Sequence, residues 1–201
     1  MRRYYLVVTI KYPSLIEKIM KLNIRVLPRV APENLDELRV IDSLSYGNKT
    51  PEIALQWAEK FPWAYILIQR KEQKGAWRTM GYGLVIPIDS IIFDGLIKGK
   101  LSEGDIKPKH VRLPNNAHAL YIASIGTLLD DINTYESSRL VGAVAGQCLR
   151  VPIPVIGIAI SEAGLRIGNE FGFKSSEYSS QAFQGIRGFK PKLLTKGKFK
   201  Y

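Results

Sequence analysis

The sequence has few of the side chains that most often hold metal ions or form disulfides. Its 201 residues include one cysteine, Cys148, and two histidines, His110 and His118. A single cysteine excludes an intramolecular disulfide framework and any cysteine-rich zinc module. We therefore expect no metal site, and we interpret Cys148 as a small apolar side chain within a helix.

Long apolar runs are absent as well. The longest apolar run, Val151 to Ile160, contains two prolines and one glycine. It is much shorter than the roughly 20 apolar residues that a helix needs to cross a bilayer. Arg2 and Arg3 precede a short apolar run near the start, but Lys11 interrupts it and no cleavage site of small residues follows. This pattern argues against a secretory signal. The sequence thus predicts a cytoplasmic protein that does not span a membrane.

Acidic residues are too few to balance the basic ones, because 18 Asp and Glu stand against 29 Lys and Arg, a formal net charge of +11. Between Arg187 and Tyr201 six residues are basic and none is acidic, which accounts for about half of the excess. Positive charge favours polyanions such as nucleic acid, anionic membranes or the phosphates of a nucleotide. Lysines also protect an edge strand from aggregation, so nucleic-acid binding is one alternative among several.

The remaining composition is that of an ordinary globular domain, with 46% hydrophobic and 23% charged residues. Residues 1–22 hold an apolar run and a short amphipathic stretch, which we interpret as an N-terminal extension and a candidate homodimer contact. Residues 23–201 are predicted to form one domain. Apolar alternation predicts strands at residues 23–30, 64–70, 76–88, 119–129 and 153–160, with a hairpin over 173–201.

Helices are predicted between these strands from capping residues and from apolar side chains at helical spacing. The first places Leu35, Leu38, Ile41 and Leu44 on one face and ends near Tyr46. A second begins at Thr50 and Pro51 and ends at Pro62, and Asp89 and Ser90 are expected to cap a third. Ser137 or Ser138 is expected to cap a fourth, with Leu140, Val141, Val144 and Cys148 on one side, and Ser161 a fifth. Together these elements predict an α/β fold with a mixed sheet.

The segment from Ile160 to Lys174 resembles the late helix of the GNAT acyl-CoA N-acyltransferases. It reads Ile-Ser-Glu-Ala-Gly-Leu-Arg-Ile-Gly-Asn-Glu-Phe-Gly-Phe-Lys, and the family typically has Asn-x-x-Ala-x-x-x-Tyr-x-x-x-Gly-Phe. Arg25 to Pro28, followed by Asn34 to Leu38, looks like the family's first strand and helix, and Met80 to Val85 looks like its third strand. The order of elements from about residue 23 to the end also fits a divergent member.

The resemblance implies a partly splayed sheet flanked by helices, with acetyl-CoA or another acyl-CoA between the strands at 119–129 and 153–160. It implies transfer of the acyl group to an unidentified amine acceptor. Main-chain groups of Ile125, Gly126 and Thr127 would orient the acyl arm, and Ser161 takes the family's asparagine position. The residues expected near the diphosphate are Asn133, Thr134, Ser137, Ser138 and Arg139.

Two positions depart from the family pattern. Glu136 stands where the diphosphate loop has glycine, and Gly168 stands where a tyrosine often serves as the acid. We therefore look for the proton donor at Tyr178 or Tyr135. The candidates for the base are Glu162, Asp130 and Asp131. The alternative function is a catalytically silent GNAT-like domain that binds a ligand or a partner.

Overall fold

A computed structural model describes residues 24–46, 57–72, 75–128, 135–148, 152–178 and 190–196. These residues contain a seven-stranded mixed sheet with the order β1-β2-β3-β4-β5-β7-β6. The strands are β1 (Ile24–Leu27), β2 (Tyr65–Lys71), β3 (Trp77–Ile88), β4 (Ala119–Thr127), β5 (Val155–Ala159), β6 (Lys174–Glu177) and β7 (Lys192–Lys196). The predicted α/β fold with a mixed sheet is confirmed. Residues 1–22 lie outside the described residues, so the division at residue 22 stays a prediction.

Four α-helices accompany the sheet in the described part of the chain: α1 (Leu35–Tyr46), α2 (Ser90–Ile97), α3 (Tyr135–Cys148) and α4 (Glu162–Glu170). The second predicted helix is described only at 57–60, which is helical. None of the helices in the described ranges is both long and apolar enough to cross a membrane.

Two capping predictions are confirmed. The Asp89 carboxylate accepts a hydrogen bond from the backbone N–H of Ile92, and the Ser161 hydroxyl oxygen accepts one from that of Gly164. Each bond satisfies a backbone donor that a helix start otherwise leaves without a partner. After α4, the chain turns at Gly172 with φ of +73°, a conformation that favours glycine.

Side chains on the two faces of the sheet pack into two separate cores. Successive residues alternate between them, since Tyr121 belongs to the first core and its neighbour Leu120 to the second. The first core lies under α1 and α2 and includes Leu38, Ile41, Ile92 and Leu96. The second lies under α3 and includes Leu140, Val144 and Cys148, as the helical spacing of these residues predicted.

Two expectations about the helices are wrong. Leu44 was placed on the buried face of α1, yet it is 68% exposed, because the buried face turns towards Leu38, Ile41 and Asp42 instead. Ser137 and Ser138 lie inside α3, which includes Tyr135, so neither of them is its N-cap residue. A serine in the first turn of a helix cannot be told from a serine at its N-cap by the sequence alone.

The pairing of β4 with β5 ends early, and this opens the sheet. The two strands are parallel and pair at Leu120 with Val155 and at Tyr121 with Ile156, and the last pair is Ile122 with Gly157. Both strands continue past this point, β4 to Thr127 and β5 to Ala159. We call the resulting opening the fork, defined by residues 123–127 of β4 and 158–159 of β5.

A β-bulge lies where the fork begins. Leu84 of β3 pairs with Ser124, whereas the next residue, Val85, pairs with Ile122, so that Ala123 is an extra residue in β4. A bulge bends its strand and increases the local twist. The bulge therefore turns β4 away from β5 and re-aims the side chains that follow it, beginning with Ser124.

Candidate active site

The three residues expected to orient the acyl arm lie on one side of the fork. Ile125, Gly126 and Thr127 pair with Gly83, Tyr82 and Gly81 of β3, while β5 has already separated from β4. Gly126 is buried, and its two neighbours are half-buried. The structure thus places these residues together along one wall of an opening in the sheet.

Ser161 and Glu162 lie just beyond the other wall. Ser161 follows the end of β5 by two positions and begins α4, and its half-buried hydroxyl oxygen accepts from Gly164 N at 3.1 Å. A serine hydroxyl that accepts such a bond keeps one hydrogen to donate. Glu162 is exposed in the first turn of α4.

The residues expected near the diphosphate are described only in part. Asn133 and Thr134 lie outside the described residues, as do the two candidate bases Asp130 and Asp131. In the first turns of α3, Ser137 is 1% exposed, Ser138 is exposed and Arg139 is half-buried. Ser138 is therefore the serine that a ligand could reach at this end of α3.

Tyr178 lies at the end of β6, away from α3. The residue is 7% exposed, and its phenol donates a hydrogen bond to the carbonyl oxygen of Leu101 at 3.3 Å. Leu101 lies in the loop between α2 and β4, two residues before Glu103. Tyr178 thus joins the C-terminal hairpin to this loop. Tyr135, the other candidate donor, begins α3.

Sequence reasoning missed a chain of hydrogen bonds that ends at the fork. The Ser124 hydroxyl donates to the phenol oxygen of Tyr82 at 3.0 Å, and the Tyr82 phenol donates to Oδ1 of Asp42. Asp42 is 4% exposed, Tyr82 is 2% exposed, and Ser124 is half-buried. The chain therefore runs from a buried carboxylate on α1, through β3, to the first residue beyond the bulge in β4.

Two further titratable groups face this carboxylate. Burial raises the pKa of Asp42 above its ordinary value, and the hydrogen bond from Tyr82 acts in the opposite direction. Glu103 is in a short 3-10 helix between α2 and β4, and burial, together with the charge of Asp42, raises its pKa to about 8. Burial and both carboxylates also raise the pKa of Tyr65, whose ring centroid lies 5.8 Å from that of Tyr82.

The raised pKa values of Asp42 and Glu103 bear on the protonation of these two carboxyl groups at neutral pH. A carboxyl group with a pKa of about 8 is largely protonated at neutral pH, so Glu103 is neutral there. At Asp42, burial opposes the ionised form and the hydrogen bond from Tyr82 favours it. Perturbed carboxyl groups beside an opening are typical of sites that move protons.

Part of this cluster had a signal in the sequence. Asp42 is the residue after Ile41 and four after Leu38, which places an acidic side chain on the apolar face of a predicted helix. Tyr82 stands between Gly81 and Gly83 in an otherwise apolar strand. Nothing in the sequence marks Ser124, because the bulge that re-aims it arises from the pairing of β3 with β4.

Two lysines of β7 make polar contacts with other residues of the described fold. Lys192 lies 3.6 Å from the Glu177 carboxylate across the β6–β7 pair, and Lys196 donates to the carbonyl oxygen of Phe171. The strand that carries them, β7, lies between β5 and β6, so the edge strands of the described sheet are β1 and β6. The lysines of β7 are therefore not edge protection, and nucleic-acid binding by the C-terminal residues stays a prediction.

Metal ligands do not converge in the described part of the chain. Within the ranges given above, no group of three or more His, Cys, Asp or Glu side chains is placed to hold an ion.

This chain resembles known proteins in its three-dimensional structure and not in its sequence. No protein-family model and no curated protein matches the sequence. Among solved structures, the loading GNATL domain of CurA from Lyngbya majuscula is similar with a TM-score of 0.63 and 12% identity, over 87% of this chain and 97% of that one. Naa50 of Arabidopsis thaliana, in complex with a CoA bisubstrate analogue, is similar with a TM-score of 0.60 and 12% identity, over 88% and 99%.

A third structure gives the same result. NAA60 of Arabidopsis thaliana, in complex with acetyl-CoA, is similar with a TM-score of 0.57 and 12% identity, over 87% of this chain and 99% of that one. The chain therefore has the fold of the GNAT acetyltransferases, as the motif resemblance implied. At this level of identity the likeness concerns the fold and leaves activity and substrate to be argued from the site.

Proposed function

We propose that the protein is an N-acyltransferase that moves an acyl group, most simply acetyl, from acyl-CoA to an amine. The observation that carries this proposal is the fork, where two parallel strands of the central sheet separate at a bulge. Acetyl-CoA is present in the NAA60 structure, and a CoA bisubstrate analogue is present in the Naa50 structure. Both proteins share the fold of this chain.

The residues around the fork fit an acyl-CoA ligand. Ile125, Gly126 and Thr127 would orient the acyl arm along β4. The N-terminal end of α3 would receive the diphosphate, because exposed backbone N–H groups and the helix dipole favour anions there. Ser138 and Arg139 would add a hydroxyl donor and a positive charge at this end, and Ser161 would add a hydroxyl beyond β5. From the family resemblance, Asn133, Thr134 and Ser137 are further candidates for this site.

Transfer requires an amine without its proton and a donor for the leaving sulfur. Bound acyl-CoA would supply the acyl group as a thioester. The sequence offers Glu162 as a candidate for the base and Tyr178 as a candidate for the donor. The exposed carboxylate of Glu162 is open to solvent beside the fork, whereas the Tyr178 phenol is buried against the loop that carries Glu103. The Glu162→Gln and Tyr178→Phe variants test these two candidates. A lower rate of transfer with unchanged acetyl-CoA binding would support a candidate, and an unchanged rate would reject it.

Calorimetric titration with acetyl-CoA and with CoA at moderate salt tests the proposal directly. We expect micromolar binding of both, with competition between them. Ser138→Asp should weaken binding at least tenfold, because a negative charge at the start of α3 repels the diphosphate while it favours the helix.

A matched control is Ser90→Asp, since Ser90 is an exposed serine in the first turn of α2. It should leave the affinity unchanged. If the cooperatively folded wild-type protein binds neither ligand, the acyltransferase assignment fails, and a binding module with a retained fold takes its place. Equal affinity of the Ser138→Asp variant and the wild type would instead reject the position of the diphosphate.

A further inference from the structure

Resting on the acyltransferase function proposed above, we propose that the acceptor amine loses its proton through Ser124 and Tyr82 to Asp42. Ser124 is the catalytic residue of this route, because it stands at the fork. Tyr82 and Asp42 act through it. The route reaches a buried carboxylate on the opposite side of the sheet from α3 and does not use Glu162.

The direction of the hydrogen bonds carries this inference. Ser124 donates to Tyr82, and Tyr82 donates to Asp42, so that both hydrogens already point from the fork towards the carboxylate. A proton that arrives at the Ser124 oxygen can therefore be passed inwards by shifting two hydrogens along existing bonds. The opposite orientation would first require both hydroxyl groups to rotate.

The proton balance of the step is simple. The amine nitrogen gives a proton to Ser124 Oγ, the Ser124 hydrogen moves to the Tyr82 oxygen, and the Tyr82 hydrogen moves to Oδ1 of Asp42. Ser124 and Tyr82 end as neutral as they began, and the Asp42 carboxylate becomes a carboxylic acid. After the acylated amine leaves, the proton returns to water in the fork by the reverse steps.

The surroundings of Asp42 suit it to accept a proton. The described titratable groups that face it are Tyr82 from β3, Tyr65 from β2 and Glu103 from the loop before β4. Burial raises the pKa of Asp42 and makes it a stronger base than an exposed aspartate. Glu103, with a pKa of about 8, is largely protonated at neutral pH, and the hydrogen bond that Tyr82 donates favours the ionised form of Asp42.

The bulge explains why the chain of hydrogen bonds reaches the fork. Without the extra residue Ala123, strict alternation along β4 would send Ser124 to the face that packs on α3. With the bulge, Ser124 reaches Tyr82, a member of the core under α1. The same irregularity therefore opens the sheet and connects the opening to a proton acceptor.

The experiment follows acetyl transfer from acetyl-CoA to two small amines in the full-length protein. Methylamine is protonated at neutral pH, so it needs a proton acceptor before it attacks, whereas hydroxylamine is largely neutral. Tyr82→Phe and Ser124→Ala should slow transfer to methylamine by about 100-fold, a typical loss for general-base catalysis. Transfer to hydroxylamine should fall by less than about tenfold, and Ser124→Thr should restore most of the methylamine activity.

Three controls separate the outcomes. Acetyl-CoA affinity, measured by calorimetry, should be the same in all variants, so a failure of binding in the wild type refutes the acyltransferase function and the relay with it. Tyr65→Phe removes a hydroxyl beside Asp42 that lies outside the relay, and it should keep the methylamine rate. In the free protein, carbon-13 NMR of labelled aspartate should show a higher Asp42 pKa in Tyr82→Phe than in the wild type, with Asp42→Asn to assign the signal.

In a protein that binds acetyl-CoA and transfers acetyl to methylamine, either of two results would overturn the relay alone. The first is an equal loss of activity on the two amines in Tyr82→Phe and Ser124→Ala. The second is an acidic limb of the methylamine pH profile that stays unchanged in Tyr82→Phe. Binding of acetyl-CoA without transfer to either amine would instead refute the acyltransferase function. If that limb disappears in Glu162→Gln and persists in Tyr82→Phe, Glu162 is the base.

Discussion

Gly81 of β3 lies directly against the backbone of Gly126 in β4. A Cβ atom added at position 81 would stand 2.8 Å from the carbonyl oxygen of Gly126 and 3.0 Å from Cγ2 of Thr127. A backbone oxygen cannot rotate away as the end of a side chain can. β3 can therefore lie this close to the wall of the fork in β4 only because residue 81 is a glycine.

We expect Gly81→Ala to disturb both stability and ligand binding. Crowding in a packed interior costs about 1–3 kcal/mol, and here the strain falls on the residues proposed to orient the acyl arm. Urea unfolding should show the loss of stability, and calorimetry should show weaker acetyl-CoA binding. A variant with unchanged stability and affinity would mean that β4 moves at little cost, and the fixed wall would be refuted.

Gly142→Ala on α3 should have the opposite effect on stability. A Cβ atom at this exposed position meets nothing within 4 Å, and glycine in a helix interior is less favourable than alanine by about 0.8–1 kcal/mol. Thermal unfolding should therefore show a higher Tm than in the wild type, with unchanged acetyl-CoA affinity. A lower Tm would show that position 142 makes a contact that its surroundings do not suggest.

Cys148 should be almost inert in the folded protein. Burial raises the pKa of its thiol from an ordinary value of 9.0 to about 12, although the nearby charge of Lys196 acts in the opposite direction. Because the thiolate is the nucleophile, alkylation by iodoacetamide at pH 7.5 should be slower than in the unfolded chain by on the order of a thousandfold.

Mass spectrometry at increasing urea measures this reactivity. The exposed cysteine of a Cys148→Ala/Ser90→Cys variant, which reacts without unfolding, provides the comparison. Labelling of Cys148 should follow the unfolding transition of the second core. Rapid labelling in the absence of urea would contradict the packing of α3 against β1, β2 and β3.

Local patterns in the sequence were sufficient for most of the fold. Asp89 and Ser161 were recognised as caps because a polar residue before an apolar helical stretch has a specific hydrogen bond to make. The spacing of Leu140, Val144 and Cys148 gave the buried face of α3 correctly. Leu44 was placed wrongly because the buried face of α1 includes the polar Asp42, which the spacing of apolar residues does not reveal.

The candidate site was less accessible to sequence reasoning, because its members are far apart along the chain. Asp42 and Tyr82 are separated by 40 residues, and Tyr82 and Ser124 by 42. Their contact depends on the register of β3 with β4, including the bulge at Ala123. The strand containing Tyr82 was predicted from its apolar pattern, but a hydrogen-bonded role for the tyrosine required the register.

Glu103 should make the folded protein less stable as the pH rises. Its pKa is raised from 4.5 to about 8 on folding, so between these values the folded state binds a proton that the unfolded state has released. Stability is then highest below about pH 4.5 as far as this group is concerned, and it is lost as the pH rises towards 8. The raised pKa of Asp42 contributes with the same sign.

Urea unfolding of the wild type and of Glu103→Gln, measured from pH 5 to 9, tests this linkage. The variant cannot release a proton at this position, so its free energy of unfolding should fall less steeply with pH than that of the wild type. Glu59→Gln, at an exposed position in the helical segment 57–60, should keep the wild-type slope. Equal slopes in all three proteins would mean that Glu103 is ionised at neutral pH and that the charge of the cluster is shared, which would also weaken the case for Asp42 as the acceptor of the proton from the fork.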